Sequence, residues 1–183
     1  EQSNLPMGTL KNVFAFFCLG SVLYIFISLV SYSSLDPSLS SVSSLSGNIQ
    51  NLGGPFGAYL SDALFSLIGL GAYLFLVIIS FAAVKTLFFY NRTDRLHKAI
   101  QITSAIFLIS SFSALCEFYY SGDYFPQSSS GGLVGNLIFI NLSNIFGIVG
   151  SLIFIVIFFL ASISLTFSFS WLFVMDVLGK STK

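Results

Sequence analysis

The chain has 183 residues, of which 55% are apolar and only 8% are charged. Soluble domains carry about 25% charged residues, so this composition excludes a water-soluble fold and predicts one small all-α membrane domain over residues 1–183. Lys plus Arg and Asp plus Glu number 7 each, which leaves no overall positive charge to attract nucleic acid.

Four predicted membrane spans follow one another along the chain. A helix needs about 20 mainly apolar residues to cross a bilayer, and runs of that kind occupy about residues 12–32, 63–89, 99–120 and 146–175. The fourth run is longer than a bilayer requires, so it predicts a tilt or an extension beyond the lipid.

The basic residues predict the orientation of these spans. Segments 33–62 and 121–145 contain no Lys or Arg. Because basic loops stay on the cytoplasmic side, both termini are predicted to be cytoplasmic and both long loops external. Lys85, near the end of span two, can reach the same side. The residues that set this topology are Lys11, Arg92, Arg95, Lys98 and Lys180.

A turn and a glycine-rich element separate the first two spans. Asp36-Pro37 is a turn signal in a serine-rich loop. The element begins with Gly53-Gly54-Pro55-Phe56-Gly57 and leads into an apolar run that contains Gly69. Pro55 suits the first turn of a helix, where its missing N–H has no partner to lose.

The same glycines recur 78 residues later as Gly131, Gly132, Gly135 and Gly147. This register predicts two parallel repeats, each made of a span, an outer loop, a glycine element and a second span. Coincidence in a chain rich in Gly and Leu is the alternative, and four glycines in register favour the repeat.

A short interfacial helix is predicted before the second span of each repeat, over about residues 54–62 and 132–145, because these segments are too short to cross alone. Gly53 and Gly131 are interpreted as loop residues in conformations that other residues avoid. Gly69 and Gly147 would allow a bend or a close approach of two backbones. The Gly-xxx-Gly spacing also fits a helix dimer contact, but each pair opens a helix, which favours the turn and bend.

Ionisable residues near the spans are candidate functional groups, but each has a simpler structural interpretation. Asp62 and Glu117 are predicted to be interfacial acids at the outer edges of spans two and three, with an ion site as the alternative for Asp62. Asp176 can pair with Lys180 one helical turn later, and His97 has no second ligand nearby. The sequence contains no catalytic motif, so it predicts no catalytic, cofactor-binding or metal site.

The first glycine element resembles a known family. The residues that carry the resemblance are Asn51-Leu52-Gly53-Gly54, Gly57-Ala58, Leu60, Asp62, Leu64-Phe65, Gly69 and Ala72-Tyr73. They closely resemble the N-terminal four-helix membrane domain of the FtsK/SpoIIIE DNA translocases, particularly the proteobacterial FtsK type. Asp36-Pro37-Ser38 matches as well, and Ser130-Gly131-Gly132, Gly135 and Trp171 match more loosely. The abundance of Phe and Ser departs from the family's usual spans without touching the motif.

The resemblance implies a larger protein in which this domain is the membrane anchor. Past Lys183 such a protein would continue to a cytoplasmic hexameric ATPase, which uses ATP and Mg and moves double-stranded DNA at the closing septum. The domain itself would be no enzyme and would hold no cofactor. It would serve cell division and chromosome segregation from the bacterial inner membrane at the division septum.

The partners that the resemblance implies are the lipid bilayer, other cell-division membrane proteins and further copies of the protein, assembled through the motor. No direct contact between this domain and nucleic acid is expected. Two other functions are alternatives: a small transporter or channel, and a stand-alone membrane scaffold protein. Two parallel halves would suit a transporter, but the sequence shows neither a buried charged pair nor a polar row along a span.

Overall fold

The computed structural model describes residues 7–37, 49–88, 95–120 and 129–168. These residues form five helices and contain no strand: α1 (Met7–Val30), α2 (Gly54–Ile68), α3 (Gly71–Phe88), α4 (Arg95–Tyr119) and α5 (Gly132–Phe167). Helices α1, α3, α4 and α5 are long and apolar enough to cross a membrane. The prediction of an all-helical protein with four candidate spans is confirmed.

The second span begins later in the structure than the sequence predicted. Helix α2 continues to Ile68 and α3 starts at Gly71, so residues 63–68 belong to α2 rather than to the span. The backbone leaves the helix at Gly69, where φ is +54°. The apolar run continues across this glycine, so hydropathy alone does not mark the break. With 15 residues, α2 is about 22 Å long and too short to cross a bilayer.

Helix α5 contains a similar break. It runs for 36 residues, and Gly147 within it has non-helical φ and ψ of 69° and 171°. The break lies next to the predicted start of the fourth span at residue 146. The last part of that predicted span, residues 169–175, lies outside the described residues.

The apolar core of the first half joins α1, α2 and α3. It consists of Leu29, Phe65, Ala72 and Leu76, all buried. The Phe65 ring packs edge-on against Tyr32 and Tyr73, with ring centroids 5.1 and 5.9 Å apart. Buried residues of α2 recur at helical spacing as Gly57, Ala58, Ser61, Asp62 and Phe65, so one narrow face of small side chains turns towards this core.

The second half is held by the most extensive helix pair in the described part of the chain, α4 with α5. Small and hydroxyl-bearing residues are buried there, including Ser104, Ser111, Ser151 and Thr166. Small side chains let two helices approach closely in a membrane. Thr166 Oγ1 donates a hydrogen bond of 3.1 Å to Ser104 Oγ, while phenylalanines such as Phe17 point outward, 73% exposed.

Charge is separated along the helix axes. We call the end where α1 and α4 finish and α2 and α5 begin the loop end, and the opposite end the basic end. The described acids, Asp36, Asp62 and Glu117, lie towards the loop end, whereas the described Lys and Arg residues, Lys11, Lys85, Arg95 and Lys98, lie towards the basic end.

Candidate functional site: two glycine corners at the loop end

Helix α2 begins in direct contact with α1. A Cβ atom on Gly53 would collide with Ser28 Oγ, and one on Gly57 would lie 2.7 Å from both Ser28 Oγ and Asn51 Oδ1. Both distances are too short for a carbon atom. The first Gly-xxx-Gly pair is therefore used inside the chain, as the surface on which α2 meets α1. We call this region the first corner.

Asn51 ties the first corner to the end of α1. Its side chain is 4% exposed, and its Nδ2 donates to the Ser28 carbonyl at 2.8 Å. Its Oδ1 accepts the Gly53 N–H, also at 2.8 Å. The Tyr24 hydroxyl donates to the Gly53 carbonyl at 2.7 Å. The bond from Asn51 thus satisfies the Ser28 carbonyl, which lies in the last turn of α1 and has no partner within that helix.

Asp36 closes the loop that joins α1 to the first corner. Its carboxylate is 2% exposed, and its two oxygens accept the backbone N–H groups of Gln50 and Asn51, each at 2.8 Å. Hydrogen bonds to a charged acceptor are stronger than those between neutral groups. Pro37 follows directly and is half-buried. The Asp36-Pro37 turn thus fixes the chain on both sides of residues 38–48.

Asp62, which the sequence predicts to be an interfacial acid, has a buried side chain. It is 1% exposed because it lies on the face of α2 that packs against the core. The Tyr32 hydroxyl donates to its Oδ1 at 3.2 Å. Burial, the neighbouring Asp62 charge and this hydrogen bond raise the pKa of Tyr32, which lies beyond the end of α1, to about 12.

The second corner, where α5 meets α4, uses the same device. A Cβ atom on Gly131 would collide with the Ser113 carbonyl oxygen, and one on Gly135 would lie 2.5 Å from it. The Ser130 hydroxyl donates to the Cys116 carbonyl at 2.7 Å. The partner of α5 is thus the end of the helix that precedes it, as it is for α2.

Glu117 accepts a backbone hydrogen bond at the second corner, as Asp36 does at the first. Its Oε2 accepts the Gly131 N–H at 3.0 Å and its Oε1 accepts the Asn136 amide at 3.1 Å. A carboxylate near the start of a helix also interacts favourably with the helix dipole. The described contacts therefore give Glu117 a structural role at the start of α5.

The two corners touch each other at the loop end. The Leu70 N–H donates to the Ser130 carbonyl at 2.9 Å, and a Cβ atom on Gly69 would collide with that same carbonyl oxygen. The Ser113 hydroxyl donates to the Ile68 carbonyl at 2.8 Å. Ser113 therefore contacts both the break between α2 and α3 and the start of α5.

The unusual backbone conformations fall on different glycines from those predicted. Gly53 and Gly131 have φ of −78° and −85°, which any residue can adopt, so the interpretation of these two as special loop conformations is wrong. Positive φ occurs one residue later, at Gly54 (67°) and Gly132 (64°). Gly53 and Gly131 are needed for space and Gly54 for conformation. Gly132 is needed for both, because a Cβ atom there would also lie 2.5 Å from the Gly69 nitrogen.

The structure distributes the predicted site residues between the two ends. It brings Asp36, Pro37, Asp62 and the glycines other than Gly147 together at the corners, and it places Lys11, Arg95 and Lys98 towards the basic end. Arg92 and Lys180 lie outside the described residues. Sequence reasoning missed Tyr32, Ser28 and Ser113. A serine in an apolar run is the available signal, but serine is too common in this chain to single them out.

The polar side chains that the structure describes at the corners form hydrogen bonds that hold the helices together. No catalytic cluster is found among the described residues. No three His, Cys, Asp or Glu residues come together as metal ligands in the part of the chain that the structure describes. Each described acid accepts a hydrogen bond from the backbone or from a side chain of this chain. The corners therefore set the angle at which α2 and α5 leave the loops.

This fold and these corners define a multi-pass helical membrane domain. A family model described as the 4TM region of DNA translocase FtsK/SpoIIIE matches residues 8–179. The chain belongs to this family. The match is to a membrane region of the translocase, in keeping with the structural role of the corner residues.

Curated relatives agree with this assignment. The chain is 29% identical over 166 residues to DNA translocase FtsK of Pseudomonas syringae pv. tomato, with 87% of this chain and 20% of the relative covered. It is 32% identical over 171 residues to DNA translocase FtsK of Pseudomonas aeruginosa, with the same coverage. DNA translocase FtsK 1 of Neisseria meningitidis serogroup A is 28% identical over 170 residues, covering 90% and 21%. The chain thus spans about a fifth of these relatives, and no solved structure matches it.

Proposed function

We propose that this chain is the membrane-anchoring and assembly domain of a septal DNA translocase that acts in cell division and chromosome segregation. The observation that carries the proposal is the family match over residues 8–179 to proteins about five times longer, which are named DNA translocases. ATP and Mg would be bound by a motor outside these 183 residues, and the four-span domain would attach that motor to the inner membrane.

The proposed orientation places both termini in the cytoplasm and both glycine corners outside it. It is supported by the separation of described Lys and Arg residues from described acids along the helix axes, because positive charge accumulates on the cytoplasmic side. A cytoplasmic motor that follows the chain requires this orientation. The single domain over residues 1–183 would then present only the corners and the outer loops to external division proteins.

The two halves are proposed to be parallel repeats, with α2 and the first part of α5 as interfacial helices. Positive φ at Gly54 and Gly69 recurs at Gly132 and Gly147, in the same 78-residue register as the sequence. Each Gly-xxx-Gly pair also packs against the last turns of the preceding helix. The first pair contacts Ser28 in α1, and the second contacts Ser113 in α4. These shared features support one element used twice.

Further copies of the protein and other division membrane proteins are the proposed partners. Assembly would be driven through the motor, and the bilayer separates this domain from DNA apart from its cytoplasmic ends. Direct contact between the domain and nucleic acid is not part of the proposal, because the chain carries no net charge.

Fluorescence microscopy of dividing cells tests the proposal. The chain fused at its C-terminus to a fluorescent protein should concentrate at the division septum. The matched control is an unrelated four-span protein of the same topology with the same fusion, which should label the whole membrane. Uniform labelling by both fusions would contradict a septal role, even if both insert correctly.

A further inference from the structure

A groove opens between α3, α4 and α5 at the basic end of the bundle. It has a volume of about 230 Å³, and its apolar walls include Ile78, Phe81 and Ile102. Lys85 of α3 and Lys98 of α4 line the same groove. We call it the lysine groove. It is separate from the corners, which lie at the loop end.

The two lysines lie at matching depths on antiparallel helices. Lys85 is three residues before the end of α3 at Phe88, and Lys98 is three residues after the start of α4 at Arg95. Each is therefore about 4.5 Å inside its helix end, with an aliphatic stem that can follow the apolar wall while the ammonium group reaches the interface. Among the residues that the structure describes, no carboxylate lines the groove and no ion pair involves Lys85 or Lys98.

We propose that the lysine groove binds one anionic phospholipid. The phosphate would lie between the ammonium groups of Lys85 and Lys98, and an acyl chain would run along Ile78, Phe81 and Ile102. Two cations, with no carboxylate among the described lining residues, complement a negatively charged headgroup. The apolar wall complements the acyl chain, which a soluble phosphate lacks. The proposal requires that the protein cross a bilayer, and it does not depend on a role at the septum.

Native mass spectrometry of the full chain in a zwitterionic detergent tests this site. The probes are phosphatidylglycerol and phosphatidylcholine with identical acyl chains. Lys85→Gln combined with Lys98→Gln should weaken phosphatidylglycerol binding roughly 30-fold, since each lysine near a charged headgroup contributes about fivefold, and should leave phosphatidylcholine binding unchanged. The matched control, Lys11→Gln with Arg95→Gln, removes the same charge from the basic end outside the groove and should change binding less than about threefold.

Equal weakening by the two double variants would overturn the proposal, because binding would then follow the overall charge of the basic end. Unchanged phosphatidylglycerol binding by the Lys85→Gln, Lys98→Gln variant would overturn the proposal as well. Ala82→Phe narrows the groove with both lysines in place and is expected to weaken phosphatidylglycerol binding. If soluble glycerophosphate displaces the lipid at an equal concentration, the site takes a free phosphate and the acyl chain has no part in it.

Discussion

At single positions, glycine is required in this chain for two separate reasons. Gly53 and Gly131 have ordinary backbone angles, and a side chain there would collide with a neighbouring helix. Gly54 has open space around it but a φ of 67°, which other residues rarely adopt. Replacing Gly53 should thus destabilise the fold through a collision, and replacing Gly54 through backbone strain. Mutagenesis can separate these two causes.

The stabilities of the Gly53→Ala and Gly131→Ala variants should respond differently to a second substitution in the neighbouring helix. Each single variant should lower the free energy of unfolding by about 1–3 kcal/mol through overpacking. Ser28→Ala should restore much of the loss in Gly53→Ala, because the collision there is with the Ser28 hydroxyl. Ser113→Ala should not rescue Gly131→Ala, whose collision is with a backbone carbonyl. Denaturant unfolding in micelles measures the stability of the single and double variants. Equal rescue by the two serine substitutions would contradict the assigned contacts.

The Tyr32–Asp62 pair predicts a loss of stability at high pH. The pKa of Tyr32 is raised from 10.0 to about 12 by burial and by Asp62. A pKa that is higher in the folded state stabilises the fold fully below pH 10, and this contribution is lost as the pH rises towards 12. Unfolding of Tyr32→Phe should therefore depend less on pH between 10 and 12 than unfolding of the wild-type chain. Parallel pH profiles would refute the assignment.

At the scale of helices, two glycine breaks divide long apolar runs. Gly69 separates α2 from α3, and Gly147 divides α5, each with positive φ. Hydropathy predicted the existence of the four spans because apolar runs of that length have few other uses. It misplaced the start of the second span because the break at Gly69 leaves the apolar run intact. Burial of Asp62 was equally invisible, since it depends on which face of α2 packs against the core.

Replacing the break glycines should distinguish conformation from contact. Gly147→Ala should lower stability by about 1–3 kcal/mol through backbone strain alone, because a Cβ atom there meets open space. Gly69→Ala carries the same kind of strain and adds a collision with the Ser130 carbonyl, so its loss should be larger. Thermal unfolding of the two variants compares them directly. A smaller loss for Gly69→Ala would argue against contact between the corners.

The carboxylates of Asp36 and Glu117 each accept backbone hydrogen bonds at one corner, so replacing either should affect hydrogen exchange at that corner only. Asp36→Asn removes one acceptor from the pair of backbone N–H groups at Gln50 and Asn51. It should speed hydrogen exchange at those amides by roughly 10- to 150-fold, the factor that corresponds to a charged hydrogen bond of about 1.5–3 kcal/mol. Glu117→Gln should do the same at Gly131 and leave residues 50–51 unchanged. Exchange that rises at both corners in each variant would show that they open as one unit.

For the whole molecule, the fold class, the four spans and the family could be read from composition, apolar runs and the Gly-Gly motif. The contact between the corners could not, because Leu70, Ser113 and Ser130 carry no signature that distinguishes them from other residues of an apolar, serine-rich chain. In the proposed orientation, the basic end would be the cytoplasmic end that carries a motor, and the loop end, which is held by hydrogen bonds, would be external.

The orientation of the domain in its membrane tests this account most directly. In a chain with Cys18→Ala and Cys116→Ala, single cysteines are placed at Leu35, near the first corner, and at His97, near the start of α4. A thiol reagent that cannot cross the inner membrane should label the Leu35→Cys chain from outside, and the His97→Cys chain only after that membrane is permeabilised. The reverse pattern would place the termini outside and contradict an anchor for a cytoplasmic motor.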